Sequence, residues 1–457
     1  MVLSVRRWPV VLLIAALAGG SGYLGLRLWK GWRLRNALVE IRQQLQSQRF
    51  AAAARSLTAL LEWEPSSDEA ACLLGNCERA RGRPQAADLA WARVPPTSRL
   101  AASAIMGRAS LLVDQGRLAD VERFLDRALA VPRIDSFELR QFLAPLYWNE
   151  GRTEEAQRLV EANWEHVSRT GPRGSAQAIE IELVRLHISL SQGISTAERV
   201  REFLERAARL APDDDRVWLG KANLAIRQKE FDDAARWIDA CLKRPSADAP
   251  VWRARLDWAL ATGRVAQVRQ ALEHLPAGES SPAQVRRLTA WLAARRGDAQ
   301  AEKQAWERLI AADPGDGDAL DRLAELAVRC NEPDRADEFR RRKTQLEEHR
   351  RRYHELYLRN QTVRNAEELA RLAEQLGRSF EARAFWTVAV WAEPDRADLR
   401  TALKRWEETR APVAEPGQTL AEVLAPDRDA AEEAAVPFRS APVQGTPSTR
   451  RISRKDR

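Results

Sequence analysis

His349 and His354 lie five residues apart in a highly charged stretch of the sequence. On a helix that offset turns one ring about 140° away from the other, so they do not converge as an i, i+4 metal pair would. Cys72 and Cys77 share the same offset and fall outside any CxxC motif, and a disulfide between them would need a distorted helix. They read as buried free thiols, as do Cys241 and Cys330. Asp313-Pro-Gly-Asp-Gly-Asp318 superficially resembles a calcium loop, but it lacks alternating oxygen ligands at its first, third and fifth positions, and its proline suits a turn. Asp213-Asp214-Asp215 follows Pro212, where acidic side chains cap a helix and complement its dipole. No Walker loop, Rossmann fingerprint or Gly-x-Ser-x-Gly elbow is present. Asn360-Gln-Thr362 has the glycosylation pattern, a three-residue match that chance supplies easily. The sequence therefore predicts no catalytic residue, no cofactor and no metal. An enzyme would need His187 or His274 beside two carboxylates in a cleft.

The elements that could position a site must come from the rest of the 457 residues, of which 45% are apolar, enough for a substantial core. Charged residues make up 30% with a net charge of only +8, so acids and bases are interleaved as on a largely helical, soluble surface. From Trp8 to Leu26 there are nineteen residues without a charge, preceded by Arg6 and Arg7 and followed by Arg27, Lys30, Arg33 and Arg35. Nineteen helical residues just cross a hydrocarbon core of roughly 30 Å. Tyr23, Trp29 and Trp32 fall where an interfacial aromatic belt would lie. The adopted reading is a single-pass anchor over 8–28 after a basic leader, 1–7. The alternatives are a secretory signal cleaved near Ala16-Leu17-Ala18, leaving a secreted or periplasmic chain, and a soluble helix. Basic residues on the two sides nearly balance, and the short leader favours an extracytoplasmic body. Ala18, Ser21, Gly22 and Gly25 would permit self-association of the span.

Prolines at 65, 96, 132, 212, 245, 276, 314 and 394 each close an apolar helical segment. Counting the two gaps of 80 as two units each gives ten units of roughly 30 to 40 residues across 33–410. Each unit has apolar residues at helical spacing, a break, and a second helical stretch. Leu376-Gly377, Ala382, Trp386, Ala389 and Pro394 form the clearest unit; Leu74-Gly75 with Ala87 and Trp91, and Trp218-Leu219-Gly220 with Phe231, Ala234 and Trp237, match in part. Gly151-Arg-Thr-Glu-Glu-Ala156 reproduces the turn inside a unit.

These residues resemble tetratricopeptide repeats. The resemblance implies an all-α, right-handed solenoid of helix A and helix B pairs whose concave face binds a peptide or a helix of another protein. In this reading Trp63, Trp91, Trp237, Trp306 and Trp386 are packing knobs. The stretch from Trp164 to Ile194 looks degenerate and is loop-rich at Thr170-Gly-Pro-Arg-Gly-Ser175, and the unit after Pro314 lacks its closing proline. Asn76, Arg79, Lys221, Arg253, Asp257 and Arg371 are the helix A residues expected to face a partner. Cys72 occupies the position where a carboxylate clamp would need Lys, so no chaperone-tail clamp is expected. Residues 365–382 and 417–425 also bear a weaker resemblance to the end of repeat arrays that precede FG-GAP β-propellers.

Phe339 to Asn360 carries eight basic residues against three Glu, with Phe339, Leu346, Tyr353, Leu356 and Tyr357 on one stripe. Its outer face offers Arg340, Arg341, Arg342, Lys343, Arg350, Arg351 and Arg352 to an anionic membrane or nucleic acid; the plainer reading is a long helix B with a solvated surface. Nucleic acid is the less favoured ligand, because Tyr353 and Tyr357 lie on the apolar stripe. After Arg410 a Pro-rich tail, 411–457, ends in a basic cluster. The expected function is a non-catalytic, membrane-tethered scaffold for one or more proteins, with electrostatic binding through 339–360 and the basic terminus as the alternative.

Overall fold

The computed structural model describes residues 29, 31–132, 134, 136–170, 175–192, 196–245, 247–276 and 282–409. All regular elements among them are helices. The apolar segment 8–28 and the tail lie outside the described residues, and none of the described helices is long and apolar enough to cross a membrane.

The chain divides into two compact units at Leu224 and Ala225. The first holds α1 (31–46), α2 (Phe50–Trp63), α3 (Asp68–Ala80), α4 (Pro84–Trp91), α5 (Ala101–Asp114), α6 (Leu118–Leu129), α7 (Ser136–Asn149), α8 (Thr153–Thr170), α9 (Ser175–Gln192), α10 (Ala197–Leu210) and most of α11 (Asp215–Gln228). The second holds α12 (Phe231–Leu242), α13 (Ala249–Thr262), α14 (Val265–His274), α15 (Pro282–Arg296), α16 (Ala299–Ala312), α17 (Gly317–Arg329), α18 (Pro333–Leu358), α19 (Ala366–Gln375), α20 (Ser379–Ala392) and α21 (Ala397–Thr409).

Odd-numbered helices are the A helices of successive pairs, and one local device closes the pairs. The residue between A and B has positive φ at Gln48, Gly82, Gly116, Gly151, Lys229, Gly263, Gly297, Asn331 and Gly377. At each of these turns the next residue's N–H reaches back five positions, as in Arg83 to Glu78 O (2.8 Å), Arg264 to Ala259 O (2.8 Å) and Arg378 to Ala373 O (2.9 Å). The left-handed residue's own N–H donates three positions back, as in Gly82 to Arg79 O (2.9 Å). This double bond pattern satisfies carbonyls that a helix end would otherwise leave open, and it redirects the chain into helix B. The left-handed positions recur at intervals of 34 from Gln48 to Gly116 and again from Lys229 to Asn331. The eight prolines all fall shortly after a B helix ends, where a residue without an N–H cannot continue it.

Two departures from this interval have structural causes. The loop expected at Thr170–Ser175 falls on 171–174, outside the described residues; the helices on either side of it, α8 and α9, have 18 residues each, which lengthens these units. Between Asn331 and Gly377 the extra length lies in α18, a single helix of 26 residues. Its stripe of Phe339, Leu346, Tyr353 and Leu356 is buried, with Tyr357 half-buried, as the sequence pattern requires.

The core consists of Ala and Gly at helix crossings filled by one large residue. Trp91 is 2% exposed, and its indole lies against Gly75 of α3 and Gly107 of α5, where an added Cβ would come within 2.4 and 2.6 Å of the ring. Trp386 is also buried, with its Nε1 donating to Glu374 Oε1 at 2.8 Å. Trp63, Trp237 and Trp306 are half-buried. Trp63 is the last residue of α2 and carries the Arg33 guanidinium over its ring at 5.0 Å, and Trp306 turns its N–H to Glu302 one turn back. Cys72, Cys77 and Cys241 are buried free thiols, but Cys330 is exposed because it caps the end of α17, next to the Asn331 turn.

Candidate partner-binding surface

The six residues expected at a partner surface all lie on A helices. Asn76 and Arg79 are exposed on α3, with Arg79 paired to Asp114 of α5 at 3.3 Å. Lys221 is half-buried on α11; Arg253 and Asp257 share α13, the first half-buried and the second exposed. Arg371 on α19 is exposed and paired with Glu367 one turn back. Only Asn76 with Arg79, and Arg253 with Asp257, share a helix; α3 belongs to the first unit and α13 and α19 to the second. Arg371 also edges a groove of about 310 Å³ whose floor is Trp386, Leu399 and Ala402, rimmed by Glu367, Asp398 and Arg405.

The basic face of α18 is less positive than its sequence. Arg340 pairs with Asp337 (3.0 Å), Lys343 with Asp321, and Arg352 with Glu368 (2.7 Å). Arg350 pairs with Glu347 (2.7 Å) and donates to the Gly315 carbonyl (2.8 Å). Arg341, Arg342 and Arg351 are left without an acidic partner among the described residues. The helix is thus a long helix B tied to α17 by Lys343 and to α19 by Arg352, with Arg340 and Arg350 paired to acids on α18 itself.

His187 faces Glu161 at 3.2 Å, and His274 stacks on Trp252 with centroids 3.8 Å apart. Among the described residues no group of His, Cys, Asp or Glu could hold a metal ion. Asp316 accepts the Ala319 N–H at the start of α17 (3.0 Å) and pairs with Arg287 (2.8 Å), so the Asp313–Asp318 segment is a turn and cap. Asp214, the middle residue of the acidic triplet, accepts the N–H groups of Arg216 (3.0 Å), Val217 (3.1 Å) and, across the unit, Ala119 (3.0 Å).

A cluster of buried charge joins α6, the α7–α8 turn and α11 without a motif in the sequence. Arg152 follows the left-handed Gly151, and its guanidinium stacks on Tyr147 at 3.8 Å. Arg152 donates to Glu122 of α6 (2.7 Å), to Glu150 (3.1 Å) and to Glu155 (3.3 Å). The other oxygen of Glu122 takes Arg216 from α11, and Asn223 of α11 donates to the Glu150 carbonyl at 2.7 Å. Burial works to raise the Glu122 carboxyl, but the two guanidinium groups outweigh it and hold it below the usual range. Burial dominates at Glu150, with the Glu122 charge added, and pushes its carboxyl up to about 8. The signal in the sequence was Arg152 inside a motif recognisable only as a turn, while its partner Glu122 lies 30 residues away and the second cation on Glu122, Arg216, lies 94 residues from that carboxylate.

No family model matches the chain. Cellulose synthase operon protein C of Komagataeibacter xylinus is 31% identical over 141 residues, which is 31% of this chain and only 10% of that protein. A search of solved structures finds the Cut9–Hcn1 heterotetramer of the APC/C, at 13% identity and a TM-score of 0.30, covering 79% of this chain and 74% of that one. YrrB, described as a TPR protein with an unusual peptide-binding site, matches at 14% and 0.25 over 37% of this chain and 84% of its own. The P58(IPK) TPR domain matches at 14% and 0.23 over 82% and 97%. The propeller-associated resemblance finds no support in these comparisons, and the part of it beyond 409 lies outside the described residues. In its own helix pairs, closed by left-handed turns at 34-residue intervals, the chain resembles the tetratricopeptide-repeat proteins.

Proposed function

We propose that the chain is a non-catalytic scaffold that binds another protein on the faces of its A helices and is tethered to a membrane by residues 8–28. The observation that carries the reading is the division of labour within each pair. Small residues, buried tryptophans and buried ion pairs are spent on stacking, while Asn76, Arg79, Asp257 and Arg371 remain exposed on A helices. Exposed polar side chains along the A helices of stacked pairs suit a peptide or helix better than a small substrate.

Affinity capture with the whole chain tests the binding reading. One protein should be recovered by the wild type and lost when Lys221, Arg253 and Arg371 are changed to Glu. Recovery that survives this change but vanishes when Arg341, Arg342 and Arg351 become Gln would move binding to α18. Cell fractionation tests the tether: the whole chain should sediment with membranes, and a chain beginning at Trp29 should not. Equal distribution of the two would overturn the tether.

A further inference from the structure

Between Lys243 and Arg296 the sequence has ten basic side chains against four acidic ones, so this one stretch carries six of the chain's net eight positive charges. The stretch covers α13, α14 and α15, within the second unit. Here, unlike on α18, arginines are held on tryptophan rings. The guanidinium groups of Arg255 and Arg264 both lie over Trp258, at 4.7 and 4.6 Å from its centroid. Arg295 of α15 stacks on Trp291 at 5.0 Å, and its guanidinium would stand 2.5 Å from a Cβ on Gly263, so it covers the α13–α14 turn.

The pairing of these cations is incomplete. The Arg255 side chain is 11% exposed, its Nη1 meets Asp239 at 3.2 Å, and its buried Nε has no hydrogen-bond partner. Arg264 is exposed and has no carboxylate partner among the described residues. Burial lowers the Arg255 pKa and the neighbouring Arg264 charge lowers it further, against the pull of Asp239, so this pair of cations is left short of negative charge. The Trp258 ring is itself 2% exposed, so it offers no free face for stacking a base, and His274 occupies one face of Trp252. A planar guanidinium fixed on a ring loses little freedom when it takes a carboxylate through two N–H groups.

We propose that the α13–α15 surface binds an acidic segment of a partner protein, its carboxylates taken by Arg255 and Arg264 on the two-arginine Trp258 platform. This rests on the reading of the chain as a protein-binding scaffold and deepens it by naming the partner's chemistry; Arg253 and Asp257 on the same helix α13 flank the platform in sequence.

The test uses the whole chain in detergent and fluorescence anisotropy with three labelled probes: a peptide alternating Glu and Ser, the same peptide with Gln for Glu, and a single-stranded oligonucleotide of equal charge. The Glu peptide should bind in preference to the other two. Arg264→Gln, at an exposed position, should weaken it roughly tenfold with an unchanged thermal midpoint. Arg255→Lys, which keeps the charge and loses the fork, should weaken it by less, and Arg341→Gln with Arg351→Gln on α18 should have no effect. Equal binding of the Glu and Gln peptides, tighter binding of the oligonucleotide, or indifference to both Arg255→Lys and Arg264→Gln would overturn the inference. If affinity capture still recovers a partner that ignores Arg264→Gln, the acidic-segment inference fails alone and the scaffold reading stands. If no variant captures any protein, it is the scaffold reading that fails.

Discussion

Trp91 shows how single residues set the spacing of these helices. Its ring fits only because positions 75 and 107 lack a Cβ, and its indole N–H is buried without a partner, a cost the packing must exceed. Gly75→Ala should therefore push α3 off α4 and cost about 1–3 kcal/mol, and Trp91→Ala should cost about 3–5 kcal/mol through the cavity left between Gly75 and Gly107. Urea denaturation followed by helicity would check both. An unchanged midpoint for Gly75→Ala would mean that the ring can shift aside. The contrast with Gly82 separates packing from backbone effects. Nothing lies within 4 Å of a Cβ at Gly82, so Gly82→Ala should cost only the left-handed penalty, about 1 kcal/mol. Lys229 already bears that penalty at φ 61, and Lys229→Gly should return a similar amount as a rise in midpoint.

At the scale of elements, the joint of α6, the α7–α8 turn and α11 sets a pH dependence of stability. The Glu150 carboxyl is raised to about 8 in the folded chain by burial and by Glu122. A carboxyl raised on folding favours the folded state most below its unfolded pKa, and that contribution is lost as pH rises through the folded value. Glu150 should thus erode stability between about pH 4.5 and 8. Glu122, held low by Arg152 and Arg216, acts in the opposite sense: its contribution is present above the unfolded pKa and is lost as pH falls. Glu150→Gln should flatten the decline toward pH 8 and leave the acid-side loss from Glu122 in place. Denaturation midpoints measured from pH 4 to 9 would show it, and parallel profiles for the two proteins would mean that Glu150 is ionised throughout.

For the molecule as a whole, contacts run mainly between successive helices within each unit, so stability should be a sum of local terms. Tyr353 in the second unit donates to Glu381, which is 2% exposed and also meets Arg378 at 3.2 Å. Tyr353→Phe removes that donor and should cost about 1–3 kcal/mol. Combined with Gly75→Ala in the first unit, the two costs should add to within about 0.5 kcal/mol. A larger coupling would mean that strain passes from one unit to the other. The same locality explains how much of the fold can be read from the chain. Gly82, Gly116, Gly151, Gly263, Gly297 and Gly377 mark turns because only glycine takes that conformation freely, and prolines mark the ends of B helices because they lack an N–H. Gln48, Lys229 and Asn331 make the same turn without the glycine signature, so the 34-residue interval is plainer in the structure than in the proline spacing.

The sequence by itself determined the helical class, the pairing of helices, the amphipathic stripe of α18 and the absence of a recognisable catalytic motif. Each of these depends on periodicity or on the backbone limits of Gly and Pro, which act within a few residues. Only the tertiary structure decided where charge is spent. It neutralised much of α18 through Asp321, Asp337, Glu347 and Glu368, buried Arg152 between Glu122 and Glu150, and placed Arg255 and Arg264 on one tryptophan with Asp239 paired to Arg255. Coulomb attraction and desolvation depend on distance and burial in space, and partners separated by up to 94 residues, as Glu122 and Arg216 are, leave no periodic trace along the chain.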